Sequence, residues 1–533
     1  MVQRGFIPPA PERPTFAFSL HVLKAYHTIQ LRCAHLSIQQ FVKALCDLHG
    51  SAYSSSRSEQ FTIIYDVYLS LIEGARERAL RKLGRSDPDW RLKNCCPCCT
   101  NKLAGEEKLE FDMLFTMDGN DSLKRVSRRE SASVGLGRSK ERLDLREAVE
   151  GGYYLPPDIV DRWSRRPDPK DLENAMQKLD WADSPCSDRW KNMSEVKTAK
   201  AWGVFDETGI FVALCRHGFI LVLLDMRRSG ELSKYPLAVV EKLLNVFGPN
   251  LGGGYDIGCG FITTLRQSLL GELAQRLNYR SLVGAFHGHA HNRLCQLDYL
   301  ATYTHGLGLE DLETAERFFS KSNALASSTR YASRFHCQQK IVQFIKHNNN
   351  FEVYSNLSKF IFNNYKQALE LLAGEDAFEQ AMKLEGVMDK AVFPQWLAEE
   401  KEYLTSLKTT PTQETLEMEY LEQLVLLAKL RPLLRTRIQI ENPQDYSRSV
   451  KETTRIETQR RHATELISAA LKTVQELELD LGIQARWTLG SEKWAATEEL
   501  IRKRNYQRCL DQLESLVVAR LFIRKICTSL SWL

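Results

Sequence analysis

No stretch of this 533-residue chain is long and apolar enough to cross a bilayer. The longest apolar run, around Phe219 to Met226, is far short of the ~20 residues a spanning helix needs. The opening MVQRGFIPPAPERP lacks the apolar core of a secretory signal, so an intracellular protein is expected. Charge of neither sign dominates. Lys and Arg number 72 against 67 Asp and Glu, a net +5, so any polyanion partner must be met by local clusters. No internal repeat is visible, nor any zinc-finger or helix-turn-helix signature that would read a DNA sequence. What is present is a globular composition, 43% hydrophobic and 26% charged, in a chain long enough for two to four domains.

The chain reads as four regions. Residues 1–90 are expected to be helical, with Ile38, Phe41, Val42, Leu45 and Leu48 on one stripe and Ile63, Ile64, Val67, Leu71 and Ile72 on another. Residues 91–120 hold the cysteine cluster NCCPCCT and a first strand. Residues 121–199 are rich in Ser, Arg, Gly and Pro, and read as a surface insertion. The hairpin-like KAWGVFDETGIFVALCRHGFILVLLDM follows, and strands and helices then alternate to about residue 335, which implies a mixed α/β core. Residues 336–533 are expected to form an all-helical domain. Its stripes are Leu416 to Leu434, Ile467 to Leu481 (closed by Gly482) and Tyr506 to Leu521.

Two apolar runs carry an aspartate each: LEFDMLFTMDGN has Asp118 and GGGYDIGCGF has Asp256. An acid-rich segment, GLEDLETAERFFSKSN, supplies Glu310, Asp311, Glu313 and Glu316 and is expected to be helical. Carboxylates at two strand ends and on a helix can hold two divalent ions for in-line attack on a phosphodiester. Acids at strand ends also simply face water, so spacing alone leaves both readings open.

The strings CPCC, MDGNDSLKR, WGVFDETGIF, CRHG, YDIGCGF, FHGHAHNRLCQ, GLGLEDLETAERFFSKSNALAS and STRYASRFH resemble the KDZ (Kyakuja, Dileera and Zisupton) transposases of fungal type. The resemblance extends to SIQQFVKALCDLHG and NYQRCLDQLESLVVARLF near the two ends. It implies a DDE-type transposase with a ribonuclease-H-like α/β catalytic core over about residues 91–335. That enzyme would use two Mg²⁺ or Mn²⁺ ions for cleavage and strand transfer at transposon ends. It also implies double-stranded DNA as partner, a nuclear location, no membrane, and a homo-oligomer as the common working form. The family's first two acids fall on Asp118 and Asp256, and the third on Glu313, with Glu316 as runner-up. The usual DGE of that segment is here Asp311-Leu312-Glu313, with Leu in place of Gly. The competing expectation is a transposon-derived protein that binds DNA or partners and no longer catalyses.

Thirteen cysteines in a reducing compartment suggest metal before disulfide. Cys96 and Cys99, Cys186, and one of Cys215 or His217 are the candidate ligands of a structural zinc, with reduced core cysteine as the alternative. His287, His289 and His291 alternate as they would on one face of a strand, with His291 and Asn292 expected near the surface. Lys124, Arg125, Arg128 and Arg129 lie just past Asp118 and could hold a phosphate backbone, or form a solvated loop. Trp181, Trp190 and Trp202 are read as core packing before base stacking.

Overall fold

The computed structural model describes residues 2–126, 151–164, 204–406, 412–430 and 446–506, apart from positions 11 and 15, together with a few isolated residues. Cys186, Arg128, Arg129 and the three tryptophans at 181, 190 and 202 lie outside the described residues. The chain divides into two compact units, Met1–Met388 and Asp389–Leu533.

Helices α1 (Leu20–Arg32), α2 (Ile38–Leu48) and α3 (Ser55–Lys82) open the first unit. Ser37 caps α2 in a reciprocal capping box with Gln40. The expected face of α3 is corrected: Ile63, Val67, Leu71 and Ile72 are exposed, whereas Phe61, Ile64, Tyr68 and Leu69 are buried. Edge-to-face contacts of Phe61 with Phe18 and Tyr26 fix that face. The large rings remove more apolar area from water than the aliphatic stripe could.

The sheet is built from β1 (Met113–Asn120), β2 (Phe205–Cys215), β3 (Ile220–Arg227), β4 (Leu251–Gly254) and β5 (Arg280–Leu282). Its order is β3–β2–β1–β4–β5. Strand β2 runs antiparallel to both β1 and β3, while β4 is parallel to β1 and β5 parallel to β4. The two-residue strand Arg125–Val126 extends the β1 side by pairing with the start of β2. Both faces are covered, so the strands read as continuous apolar runs. Phe115, Met117, Phe211, Ala213 and Leu221 pack under α4 (Lys234–Phe247) and α5 (Gly258–Arg266). Ile210, Val212, Leu214 and Ile220 pack under α7 (Thr314–Ser322) and α8 (Arg334–His347), with α6 (Arg293–Tyr299) lying between α5 and α7 in the chain.

Three sequence expectations change here. The strand near Asp256 is the LGGG run itself, and Asp256 follows its end. A glycine triplet holds as a strand because both its neighbours pair with it. Phe115, Tyr279 and Leu312 fill the space where Cβ atoms would stand. The acid-rich helix begins only at Thr314, since Leu312 sits at φ +53°, a left-handed turn that cannot continue a helix. That conformation is the physical reason glycine suits the position Leu312 occupies. The histidine segment is a short 3-10 turn, His287–Ala290, after a strand of three residues, so its histidines share no strand face.

In the second unit, two helices (Thr412–Leu430 and Tyr446–Asp480) pack through Tyr420, Leu424, Leu427, Ala470, Val474 and Leu477, as the stripes require. Gly482 follows at φ +63° as the helix stop. Tyr506, Leu510 and Leu513 of the third stripe are exposed. Among the described residues no helix is long and apolar enough to cross a membrane.

Candidate active site and metal centres

Alternation along β1 points Thr116 and Asp118 to the α7 face of the sheet. The Thr116 and Thr314 hydroxyls bond at 2.7 Å, buried, and fasten the start of α7 onto β1. Two residues further along each element stand Asp118 and Glu316, lining the same cleft. Asp256, just past the adjacent parallel strand, lines it too, with Oδ1 accepting from the Ile257 N–H at 2.8 Å. The fourth acid was not read from the sequence. Glu231, in the loop between β3 and α4, brings a carboxylate oxygen within 4.8 Å of those of Asp118 and Asp256. Tyr255 donates to it at 2.7 Å. Gly119 clears its path, because a Cβ there would stand 2.8 Å from Glu231 Oε2. A lone acid in the loop RSGELS carries no spacing signal, and only the folded chain brings it to the site.

Glu313 is also present but differently engaged. Its Oε1 accepts the Phe286 N–H at 2.9 Å and its Oε2 lies 3.1 Å from His287 Nδ1. Gly284 makes room for it. His287 Nε2 lies 3.7 Å from Glu316 Oε1, so the ring stands between Glu313, just before α7, and Glu316 in its first turn.

Burial first, then the like charges of Asp256 and Glu231, holds the Asp118 carboxyl well above its usual range. Burial likewise raises Asp256, and burial with the Asp256 charge pushes Glu231 up to about 7. Burial lowers His287, but its hydrogen bond to Glu313 and the surrounding acids outweigh that and raise it. Partly desolvated acids that repel one another are the arrangement a multivalent cation relieves. An all-oxygen donor set fits a hard divalent ion such as Mg²⁺ or Mn²⁺.

The motif residues beside the acids do structural work. Asn120 bonds Asn323 at 2.8 Å and accepts from the Ser122 N–H, tying the strand end to the end of α7. A Cβ on Gly258 would meet the Leu282 carbonyl at 2.3 Å, so glycine is required where α5 crosses β5.

At the other end of the sheet, Cys96, Cys99, Cys215 and His217 bring four ligand atoms within 4.8 Å of one another. Their His217 Nδ1 to sulfur distances are 3.5 Å for Cys96 and 3.2 Å for Cys99. A tetrahedral zinc, with bonds of about 2.3 Å to sulfur and about 2.0 Å to nitrogen, sets such separations near 3.5 Å. Both hairpin residues, of which one was expected, belong to the set, and Cys186 lies outside the described residues. Hydrogen bonds from Cys215, then Cys99, pull the Cys96 thiol down, while burial holds the Cys215 thiol up, so the cluster carries one thiolate at most without a metal.

Of the expected phosphate contacts, Lys124 reaches Asp121 at 3.1 Å near the surface. Arg125 is a correction. Its side chain is 8% exposed, bonded through Nε to Glu207 and through an Nη to Asp206 at 3.1 Å. Its donors are spent inside the fold because the short strand at 125–126 pairs against β2 and turns the guanidinium onto that strand's acids. Arg125→Ala is therefore expected to cost ~3 kcal/mol by leaving a buried Glu207 with only the longer Arg334 contact at 3.8 Å, measured by urea unfolding. A loss below ~1 kcal/mol would return Arg125 to the surface role expected from the sequence.

No curated protein and no solved structure matches the chain. Residues 111–349, which hold β1 to β5, the cleft acids, Cys215 and His217, match the family model described as KDZ: Kyakuja-Dileera-Zisupton transposase. That segment is similar to the KDZ transposase family.

Proposed function

We propose that this chain is a DDE-type DNA transposase with a ribonuclease-H-like core, cutting and joining strands at transposon ends. One observation carries the reading: Asp118 on β1 and Asp256 just past the adjacent parallel strand meet Glu231 within 4.8 Å, beside a cleft also lined by Glu316. The sheet order, with β2 alone reversed, supports the ribonuclease-H-like assignment. The KDZ match over residues 111–349 suggests transposase function and implies a divalent metal and DNA.

Two divalent ions, when bound, activate the attacking oxygen and stabilise the leaving one. Asp118 and Asp256 supply the charge that holds them. Between the helix acids we assign Glu316 to the metal and Glu313 to bracing. Glu313 already satisfies the Phe286 N–H and holds His287, whereas the Glu316 side chain is half exposed beside the aspartates. Lys124 is available to a phosphate, since an exposed pair with Asp121 is weak. A homo-oligomer acting in the nucleus, on DNA, is part of the same proposal.

The test is cleavage of labelled element-end DNA with Mg²⁺ or Mn²⁺. Glu316→Gln is expected to lose activity by ~10²-fold or more with the fold intact. Glu313→Gln is expected to cost ~1–3 kcal/mol of stability while divalent-ion binding persists. The reverse pattern would make Glu313 the ligand. DNA binding by the native chain without any cleavage would favour a catalytically silent protein.

A further inference from the structure

Behind the carboxylate cleft lies a second cluster of soft ligands. Cys259 stands in the first turn of α5, three residues after Asp256, and Cys295 in the first turn of α6. His291 lies between them in space. All three are buried, with exposures of 1%, 1% and 3%, so the expectation of a surface-facing His291 is overturned.

The geometry is that of a metal centre. His291 Nε2 lies 2.9 Å from the main-chain oxygen of Asp256, which accepts only if Nε2 carries the proton. The proton placement leaves Nδ1 with a bare lone pair. Both sulfurs close on that one lone pair, at 3.3 Å each. Two thiols crowding a single acceptor is a poor hydrogen-bond arrangement, since a thiol is a weak donor. It is a good ligand arrangement, because tetrahedral Zn²⁺ separates sulfur and nitrogen by about 3.5 Å. A ligating imidazole whose other nitrogen donates to a main-chain carbonyl is the usual support for such an ion. The local chain presents the set. Asn292 caps α6 by accepting the Cys295 N–H at 2.9 Å, and Gln296 donates to the His291 carbonyl at 2.9 Å.

We propose that Cys259, His291 and Cys295 bind a second zinc ion, with the fourth position open to water or another donor. The ion would fix the loop that carries Asp256 through the His291 to Asp256 hydrogen bond. This positioning role, unlike the zinc site itself, rests on the transposase reading.

The test needs no DNA. Zinc per full-length chain is measured by plasma mass spectrometry after reconstitution. The double variant Cys259→Ser/Cys295→Ser should hold one zinc fewer than the native chain. An equal content, or a native chain without zinc, overturns the site. Should that variant not fold, Cys295→His exchanges one ligand for another. It should keep the native zinc content while the cobalt-substituted protein loses part of its thiolate-to-cobalt absorption, and an unchanged band overturns the site. For the positioning role, Mn²⁺ affinity at the carboxylates, followed by electron paramagnetic resonance, should weaken ~10-fold when the zinc is lost. Unchanged Mn²⁺ affinity would overturn the link to Asp256, and the zinc count would still decide the site.

Discussion

Asp118→Asn is expected to abolish metal-dependent cleavage, by on the order of 10³-fold or more, while making the metal-free protein more stable. The two effects have one cause. Asp118 stands half-buried beside Asp256 and Glu231, and all three carboxyls are raised above their ordinary values. A carboxyl raised in the folded state binds protons more tightly there than in the unfolded chain. Its contribution is present at acid pH and is lost as pH rises through the folded value. For Glu231 that window runs from its ordinary 4.5 to about 7. At neutral pH the metal-free cluster therefore strains the fold. Replacing one charge by an amide relieves the strain by on the order of 1 kcal/mol. Mg²⁺ should do the same for the native chain and much less for the variant. Melting at pH 5 and pH 8, with and without Mg²⁺, separates the cases. A variant that melts lower than the native chain in metal-free buffer at pH 8 would contradict this account.

Chelation of zinc, or Cys215→Ser, is expected to destabilise the first unit by several kcal/mol. Cys96 and Cys99 approach the sheet from a short helical turn, Pro97–Thr100. Cys215 and His217 stand at the tip of the β2–β3 hairpin. A shared ion would cross-link segments more than 110 positions apart (215 − 99 = 116), and without it the sulfurs would face one another with no compensating charge. Structural zinc is worth about 10–16 kcal/mol in peptides that fold only with metal. The sheet here has its own apolar core, so the loss should be smaller, on the order of 3–5 kcal/mol. Calorimetry with a strong chelator should lower the native melting temperature, and zinc rather than magnesium should restore it. A melting curve indifferent to both would remove the zinc from this cluster.

Sequence by itself determined the helical stripes of the second unit, because amphipathic periodicity is a local property of the chain. It also picked out Asp118, Asp256 and the Glu313/Glu316 segment through ordered motif blocks, and Cys96, Cys99 and His217 through the spacing of thiols and imidazoles. Tertiary structure alone decided what depends on contacts distant in sequence. The glycine triplet became a strand because β1 and β5 flank it. Arg125 turned inward because Asp206 and Glu207 on β2 meet it. Glu231 joined the aspartates across more than a hundred positions of chain from Asp118 (231 − 118 = 113). Cys259, His291 and Cys295 closed on one another because α5 and α6 bring their first turns together. Periodicity and spacing record what a segment buries, and they carry no information about which distant group it meets.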